Sequence, residues 1–508
     1  MPFLTELRKD WWLTSIYLVP VVSAAALMAL NINAPMADPD FYWHLAAGRW
    51  ALEHARIPTA DPFSFSCAGR PWVAHEWLFE AVLAAADRVL GYTGPVLLGH
   101  ATFWAFSAFF YRWLKSINKN SPLAPSAVIL PATVTLFPFW TLRPQIASYT
   151  FFVFFLAVLQ KGPLRRGRLW ALAALTAVWA NTHGSFVLAP LTLLYCALCD
   201  FLSRTREGCE EAGLRPLEAA AAAARAAGKN WAAPLLAVLT AGALNPWGFS
   251  HYLYPLAVAS DAAMKSNIAE WHSPNFHRPY ECYLLFGWLL ALICRPVFPR
   301  GVQVNTGLLG ACALFTWLTL TSVRYAPYWV ILLCGYLLSA GRPKTEPANG
   351  VKNQSKPVNS RQVALLWLVT LAFAAAAVFG HLPRGPVEAY VSPHFPQAAA
   401  EKLAAGPPGK RMLNHYNWGG YLIWRLWPKL PVFIDGRADL YAKDVFLQYI
   451  DAVKLKDPAS VLEAWQFDLV TMPPDEPLVS WLRLNPAWEV WYEDEKSVIM
   501  KKAEVFKK

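Results

Sequence analysis

Residues 34–50 read APMADPDFYWHLAAGRW, and they stand directly after the first long apolar run of the chain, residues 12–32. Roughly 20 apolar residues are enough for a helix to cross a bilayer core. The stretch after the run is dense in aromatic and ionisable side chains. Asp38 and Asp40 flank Pro39, and His44 follows four residues after Asp40. The same succession, an apolar run with a polar and aromatic stretch at one end, recurs along the chain and decides the fold class.

The composition agrees. Of 508 residues, 56% are hydrophobic and only 16% charged, against about 45–50% and about 25% in soluble domains. Mean hydropathy is +0.28. The 25 tryptophans and 29 phenylalanines suit a chain with many interfacial anchors. The net charge of +11 reads as orientation bias. No soluble stretch combines basic residues with exposed aromatics, so nucleic-acid binding is excluded. The first apolar run is long and no small-residue cleavage site follows it, so it is expected to stay as a span and not be cleaved as a signal peptide.

About eleven spans are expected, at 12–32, 94–114, 123–141, 146–160, 169–181, 185–203, 231–246, 283–299, 305–323, 325–341 and 362–380. With Arg8 and Lys9 in the cytoplasm, the inner loops gather Lys115, Arg165, Arg166, Arg204, Arg225, Arg300 and Lys344, among others. The outer turns hold few basic residues: Arg143, Lys265, Arg278 and Arg324. That is the positive-inside pattern. The same assignment puts every polar and aromatic stretch outside: DPDFYWHL, PWVAHEWLFE, TLRPQIAS, ANTHGSF, NPWGFSHY, NIAEWHSPNF and SVRYAPYW. Residues 218–229 read as an Ala-rich helix former, and 341–361 as a polar linker. No internal repeat is found.

After the last span the chain turns soluble. Residues 383–508 alternate strand-like pieces (RMLNHY, PVFID, FDLVTM, WEVWYED, SVIMKK) with helical ones (WGGYLIWRLW, AKDVFLQYIDAV, PASVLEAW, PLVSWLRL). The expected architecture is therefore an α-helical polytopic membrane domain, residues 1–382, with a large first outer loop at 33–93, followed by an extracytoplasmic α/β domain at 383–508. The chain is expected to be multi-pass, with the N-terminus in the cytoplasm; the resemblance given below implies a bacterial cytoplasmic (inner) membrane as its place.

Candidate chemistry lies in the outer loops. Pro39 holds Asp38 extended, so two carboxylates are presented rigidly. FYWHLAAGRWALEHA reads as an amphipathic helix, and a start at Phe41 makes Asp40 its N-cap; Asp38 then reads as a general base or cation anchor, or as a solvated loop carboxylate. Asp61-Pro62 is a turn signal. His75 is adjacent to Glu76, and Glu76 and Glu80 share a helix face; solvated charge on an interfacial helix is the plain alternative. Arg143 with Gln145, His183, Glu270 with His272, and Arg324 stand at span ends, where ionisable groups default to function. The arginines read as a phosphate clamp or as snorkelling side chains. No zinc-site spacing and no nucleotide-binding glycine loop is found, and no metal-ligand set is assigned. Cys196 and Cys199 form a CxxC inside an apolar span and read as small packing residues. Cys67 and Cys282 both fall in outer loops, where a disulfide between them is an open option. Trp418, Asp435 and Arg437 read either as internal packing and pairing or as glycan recognition.

DPDFYWHLAAGRWALEHARIPTADPFSFSCAGRPWVAHEWLFE resembles the first outer loop of bacterial multi-span proteins similar to the GT-C glycosyltransferase superfamily, including its protein-mannosyltransferase-like and lipid-A-sugar-transferase-like branches. LRPQ, WANTHGSF, NPWG, IAEWHSPNF and NWGGYLIWRLWPKLPVFIDGRADLY look like landmarks of the same group, so the resemblance covers nearly the whole chain. It implies hexosyl or pentosyl transfer from a polyprenyl-phosphate-linked sugar to an envelope glycan, lipid or protein acceptor on the outer face. It also implies an acidic catalytic base in the first outer loop, here Asp38 or Asp40. His44, His75, Glu76, Arg143, Gln145, His183, Glu270, His272, Arg324, Trp418, Asp435 and Arg437 are then candidate substrate-binding residues. A divalent cation, Mg or Mn, is a candidate cofactor, and membrane lipids are further partners. The competing readings are a lipid-linked glycan transporter or flippase, a non-catalytic envelope-polysaccharide assembly protein, and a polymerase or ligase with a similar site.

Overall fold

A computed structural model describes residues 36–118, 123–160, 164–278, 281–282, 305–339 and 382–503, with isolated positions within 26–34 and 372–376. The segment 33–93, expected as the first outer loop, opens with helix α1, Pro39–His54. Asp38 is its N-cap and accepts the Asp40 N–H at 2.9 Å. The cap expected at Asp40 is thus corrected by two residues. Proline is pre-shaped for the first helical position and lacks the N–H that would go unpaired there, so the helix starts at Pro39. Ala55, in left-handed geometry at φ 49°, ends it. The amphipathic reading is corrected too: Phe41, Tyr42, Trp43, His44, Leu45, Ala47 and Trp50 are all buried. Residues far along the chain cover the face that the local pattern leaves to solvent, with Tyr42 meeting the rings of Phe395, Tyr421 and Trp424.

Helix α2, Trp77–Leu90, crosses α1 at Gly48, where a Cβ would lie 1.9 Å from the Glu80 carbonyl. Only glycine permits that approach. The Arg49–Asp87 ion pair at 2.7 Å ties the two helices beyond the crossing.

The helical body follows: α3 Thr93–Ile117, α4 Leu123–Leu136, α5 Gln145–Leu159, α6 Arg166–Ala180, α7 Leu188–Glu210, α8 Pro216–Gly242, the short α9 Tyr254–Ser260 and α10 Ala262–Asn267, then α11 Thr306–Thr321 and α12 Ala326–Ser339. The expected spans at 94–114, 123–141, 146–160, 169–181, 185–203, 231–246, 305–323 and 325–341 fall on α3 to α8, α11 and α12. Those at 12–32, 283–299 and 362–380 lie wholly or largely outside the described residues, as does the 341–361 linker. Among the described residues, Gly184–Glu210 is long and apolar enough to cross a membrane by length and composition, and Gln145–Leu159 and Thr306–Thr321 are shorter apolar helices. The Ala-rich stretch is no separate connector. It forms the first half of α8, which runs unbroken through 27 residues and packs back on α7.

From residue 382 on, α13 Gln397–Ala405, β1 Met412–Asn414, α14 Gly419–Leu426, α15 Ala442–Val453, α16 Pro458–Ala464, β2 Leu469–Met472, α17 Pro477–Arg483, β3 Trp488–Glu493 and β4 Val498–Lys502 build an α/β unit. The sheet order is β1-β2-β4-β3, with β1 and β2 parallel and the other pairs antiparallel. The expected strand at PVFID is not part of it. The buried Asn414 side chain takes a strand partner's place there, its Oδ1 accepting the Phe433 N–H at 2.8 Å and its Nδ2 donating to the Ile434 carbonyl at 2.7 Å. That segment turns to the first outer loop, where the Phe65 N–H donates to the Val432 carbonyl at 3.0 Å. A second bridge joins Met36 to Val391. One hydrophobic core runs from α1 through the helical body into this unit.

Candidate active site

Two ionisable clusters meet under the C-terminal unit. The first forms around Arg143, in the loop between α4 and α5. Its Nη2 lies 2.8 Å from Asp40 Oδ2, and its Nη1 lies 3.7 Å from Asp38 Oδ2 and 2.6 Å from Glu270 Oε1. Arg324 faces the other Glu270 oxygen at 3.7 Å and lies over the Trp271 ring. The Ser322 hydroxyl donates to the Glu270 carbonyl and the Val323 N–H to the His272 carbonyl, which pins the two outer turns together. Trp43 Nε1 donates to Asp40 Oδ1 at 3.0 Å. Three carboxylates thus share two guanidiniums. Arg143 Nε is buried without a partner among the described residues.

The electrostatics split the acids. Burial pushes the Asp40 carboxyl up to about 7, with Arg143 pulling against it and the Asp38 charge adding to it. Glu270 goes the other way: Arg143 draws it down to about 2, and Arg324 adds to that pull. One acid is poised near neutrality while its neighbour stays charged, which is how paired carboxyls take different roles.

The second cluster joins α1 to the start of α2. His44 Nδ1 lies 3.0 Å from Glu80 Oε1 and 3.8 Å from Glu76 Oε2. His75 Nε2 and His183 Nε2 each approach Glu76 Oε1 to 3.6 Å. The expectation of solvated charge on an interfacial helix is corrected here: His44 and Glu80 are each 2% exposed and Glu76 8%. Burial drives Glu80 well above the usual carboxylate range, and Glu76 adds like charge. Burial likewise raises Glu76 and lowers His44 and His183 well below the usual histidine range.

The C-terminal unit closes over both clusters. Arg437 is buried and bonds Asp435 through Nε at 2.8 Å and Nη2 at 2.7 Å, and Asp61 through Nη1 at 2.8 Å. Its guanidinium lies over the faces of Trp72 and Phe63, and the Tyr441 hydroxyl donates to Asp435. This staple sets Gly436 directly against Asp40: a Cβ there would lie 1.9 Å from Asp40 Oδ1. The same turn brings Asp439 to the Tyr254 hydroxyl, which donates to it, and the Tyr254 ring lies 4.7 Å from the His75 ring.

The structure therefore brings together Asp38, Asp40, His44, His75, Glu76, Arg143, His183, Glu270 and Arg324. The assignment of Asp435 and Arg437 to substrate is corrected: each is at most 1% exposed, and their charges are spent on each other and on Asp61. Trp418 is also buried, edge-on to His415, and presents no stacking face. His272 is exposed and joins the site through its backbone carbonyl, and half-buried Gln145 opens α5. Cys67 and Cys282 are both free thiols. The sequence reading left Glu80, Asp61, Gly436, Asp439 and Tyr254 out of the site. The i, i+4 spacing from Glu76 carried a signal for Glu80, and DGRADLY carried one for Asp439; Tyr254, in a run of aromatics, carried none.

No family model matches the sequence, and no curated protein matches it. Among solved structures, the fold is similar to that of an oligosaccharyltransferase from Archaeoglobus fulgidus, crystallised with a disulfide-tethered acceptor peptide containing an NVT sequon. The TM-score is 0.52 at 11% identity, over 92% of this chain and 70% of that one. At that identity the likeness shows a shared fold alone.

Proposed function

We propose that the chain is a membrane glycosyltransferase that moves a sugar from a polyprenyl-phosphate-linked donor to a hydroxyl or amide of an envelope glycan, lipid or protein, on the outer face of the membrane. The observation that carries the reading is Asp40: a largely buried carboxyl held near pH 7 beside the Arg143 guanidinium, whose Nε–H has no partner among the described residues, with Arg324 held nearby through Glu270. A general base works best with a pKa near the working pH. Asp40 takes the acceptor proton. The acceptor atom forms its bond to the anomeric carbon as the bond to the phosphate oxygen breaks, with inversion, and polyprenyl phosphate leaves. Arg143, through its free Nε–H, and the half-exposed Arg324 offset the charge that develops on the phosphate. Asp38 serves as the helix cap and fixes Asp40. The shared fold with an oligosaccharyltransferase supports this reading, and the C-terminal unit, folded over Asp40, is the surface we assign to the acceptor.

A divalent ion does not fit among Asp38, Asp40 and Glu270, because the Arg143 guanidinium fills the space between them. No step is drawn through a metal there.

The test compares wild type with Asp40→Asn and Asp38→Asn, purified in detergent and offered a panel of polyprenyl-phosphate sugars. Donor consumption by Asp40→Asn should fall by about 10²–10⁴-fold. Asp38→Asn should keep most of the turnover, since asparagine caps a helix as well as aspartate does. A wild type that binds donor and never consumes it would overturn the enzyme reading in favour of transport or assembly.

A further inference from the structure

The His44, Glu76 and Glu80 cluster does not take part in the step proposed above, and its geometry asks for a cation of its own. Among the described residues it is the one place where three His or acid donor atoms from different side chains all lie within 4.8 Å of one another. All three residues are more than nine-tenths buried. Glu76 and Glu80 stand one turn apart at the start of α2, and His44 meets them from α1. The three donors are therefore held by two packed helices whose close approach is fixed at Gly48, against Glu80's own carbonyl. No arginine or lysine forms an ion pair with either glutamate among the described residues; their ion-pair partners are imidazoles.

A second observation is independent of that count. His75 Nδ1 lies 3.2 Å from the Val73 carbonyl. A carbonyl oxygen only accepts, so Nδ1 carries a proton, and the ring turns Nε2 towards Glu76 Oε1, 3.6 Å away. A histidine whose far nitrogen is tied to a backbone carbonyl is how proteins orient a metal ligand. His183 is arranged the opposite way. Its Nδ1 accepts the Ser185 N–H at 3.2 Å, so its Nε2 carries a proton and donates towards Glu76.

We propose that His44, Glu76 and Glu80 bind one divalent transition-metal ion of the zinc class, with His75 as a further ligand and His183 as the residue that positions Glu76. Mixed imidazole and carboxylate donors suit zinc and its neighbours, whereas magnesium favours all-oxygen octahedral sites with several waters. The site rests on geometry alone and stands or falls apart from the role of Asp40.

The experiment uses untagged full-length protein in detergent, stripped with chelator and titrated with Zn²⁺, Mn²⁺ or Mg²⁺ alone. Bound metal is counted by mass spectrometry after desalting, and Co²⁺ is followed by its visible absorption. Wild type should take up one equivalent of Zn²⁺ and show a Co²⁺ band, with Mg²⁺ failing to compete. Glu76→Gln/Glu80→Gln should lose the equivalent. His75→Gln, at a less buried position that folding tolerates better, should weaken binding by about 10–100-fold, and His183→Gln by a similar factor through loss of orientation. Asp87→Asn, outside the cluster, should bind as wild type does. A wild type that takes up no Zn²⁺ or Mn²⁺, one that binds only Mg²⁺, or a double glutamine variant that keeps its equivalent would overturn the proposal. In the first case the cluster holds shared protons instead.

Discussion

Two arginines of this chain each sit among carboxylates, and they do opposite things. Arg437 meets Asp435 and Asp61, bonds through all three nitrogens, and is 1% exposed. Arg143 meets Asp38, Asp40 and Glu270, has no partner for Nε among the described residues, and touches a glutamate whose side chain is 44% exposed. The first has nothing left to offer a ligand, so it joins the first outer loop to the C-terminal unit. The second keeps an unused donor and a half-open carboxylate, so it can still accept an anion. A charged residue in an outer loop is thus functional or structural according to whether its hydrogen-bonding capacity is spent. That capacity cannot be counted from the sequence.

The largest expected effect tests this contrast on its structural side. Arg437→Met strands two buried carboxylates and should cost about 3–5 kcal/mol of stability, read as a large drop in thermal midpoint or loss of folded protein from detergent. Arg143→Lys should leave the midpoint close to wild type and lower donor turnover by about 10²–10³-fold, because an ammonium cannot make parallel bonds to a phosphate. If Arg143→Lys unfolds the protein and Arg437→Met does not, the two roles are reversed. Gly436→Ala comes next. The added methyl has no room against Asp40, so the variant should lose about 1–3 kcal/mol of stability and most of its turnover, whereas Gly406→Ala, with nothing near its Cβ, should do neither.

The smallest effect is a pH profile. The Asp40 carboxyl is raised from 3.8 to about 7 by burial, so turnover should rise with pH and level off above about 7 as Asp40 becomes the free base. Stability should run the other way. Between about 4 and 7 the folded chain holds a proton that the unfolded chain has released, so this group's contribution is full below about 4 and declines as pH rises through about 7. Opposite trends in turnover and thermal midpoint across that window, both absent in Asp40→Asn, would identify the residue.

Part of the cluster was legible as separate polar and aromatic stretches at the ends of apolar runs; the structure brings Asp40, Glu76, Arg143, His183, Glu270 and Arg324 from those stretches into two adjoining clusters. The C-terminal helices were legible too, AKDVFLQYIDAV to the residue, because their apolar periodicity is local. What failed depended on partners that no local pattern shows. The Asn414 amide took a strand's place beside PVFID. Aromatic rings from Phe395, Tyr421 and Trp424 buried the outer face of α1. Asp61, expected only to make a turn, makes it by accepting from the Phe63 and Ser64 N–H groups and also bonds Arg437. The helix cap fell on Asp38 because proline opens the helix, a rule that the expected start at Phe41 set aside.

The close approach of Gly436 to Asp40 also sets an order of assembly. Asp40 leaves the ribosome early, behind the first apolar run, and Gly436 emerges only when the last quarter of the chain is made. Until then the face of the carboxyl that Gly436 covers is open, and only the earlier neighbours Trp43 and Arg143 stand against it. The Asp40 environment is complete only when the tail has docked, so its final surroundings are the last part of this region to form.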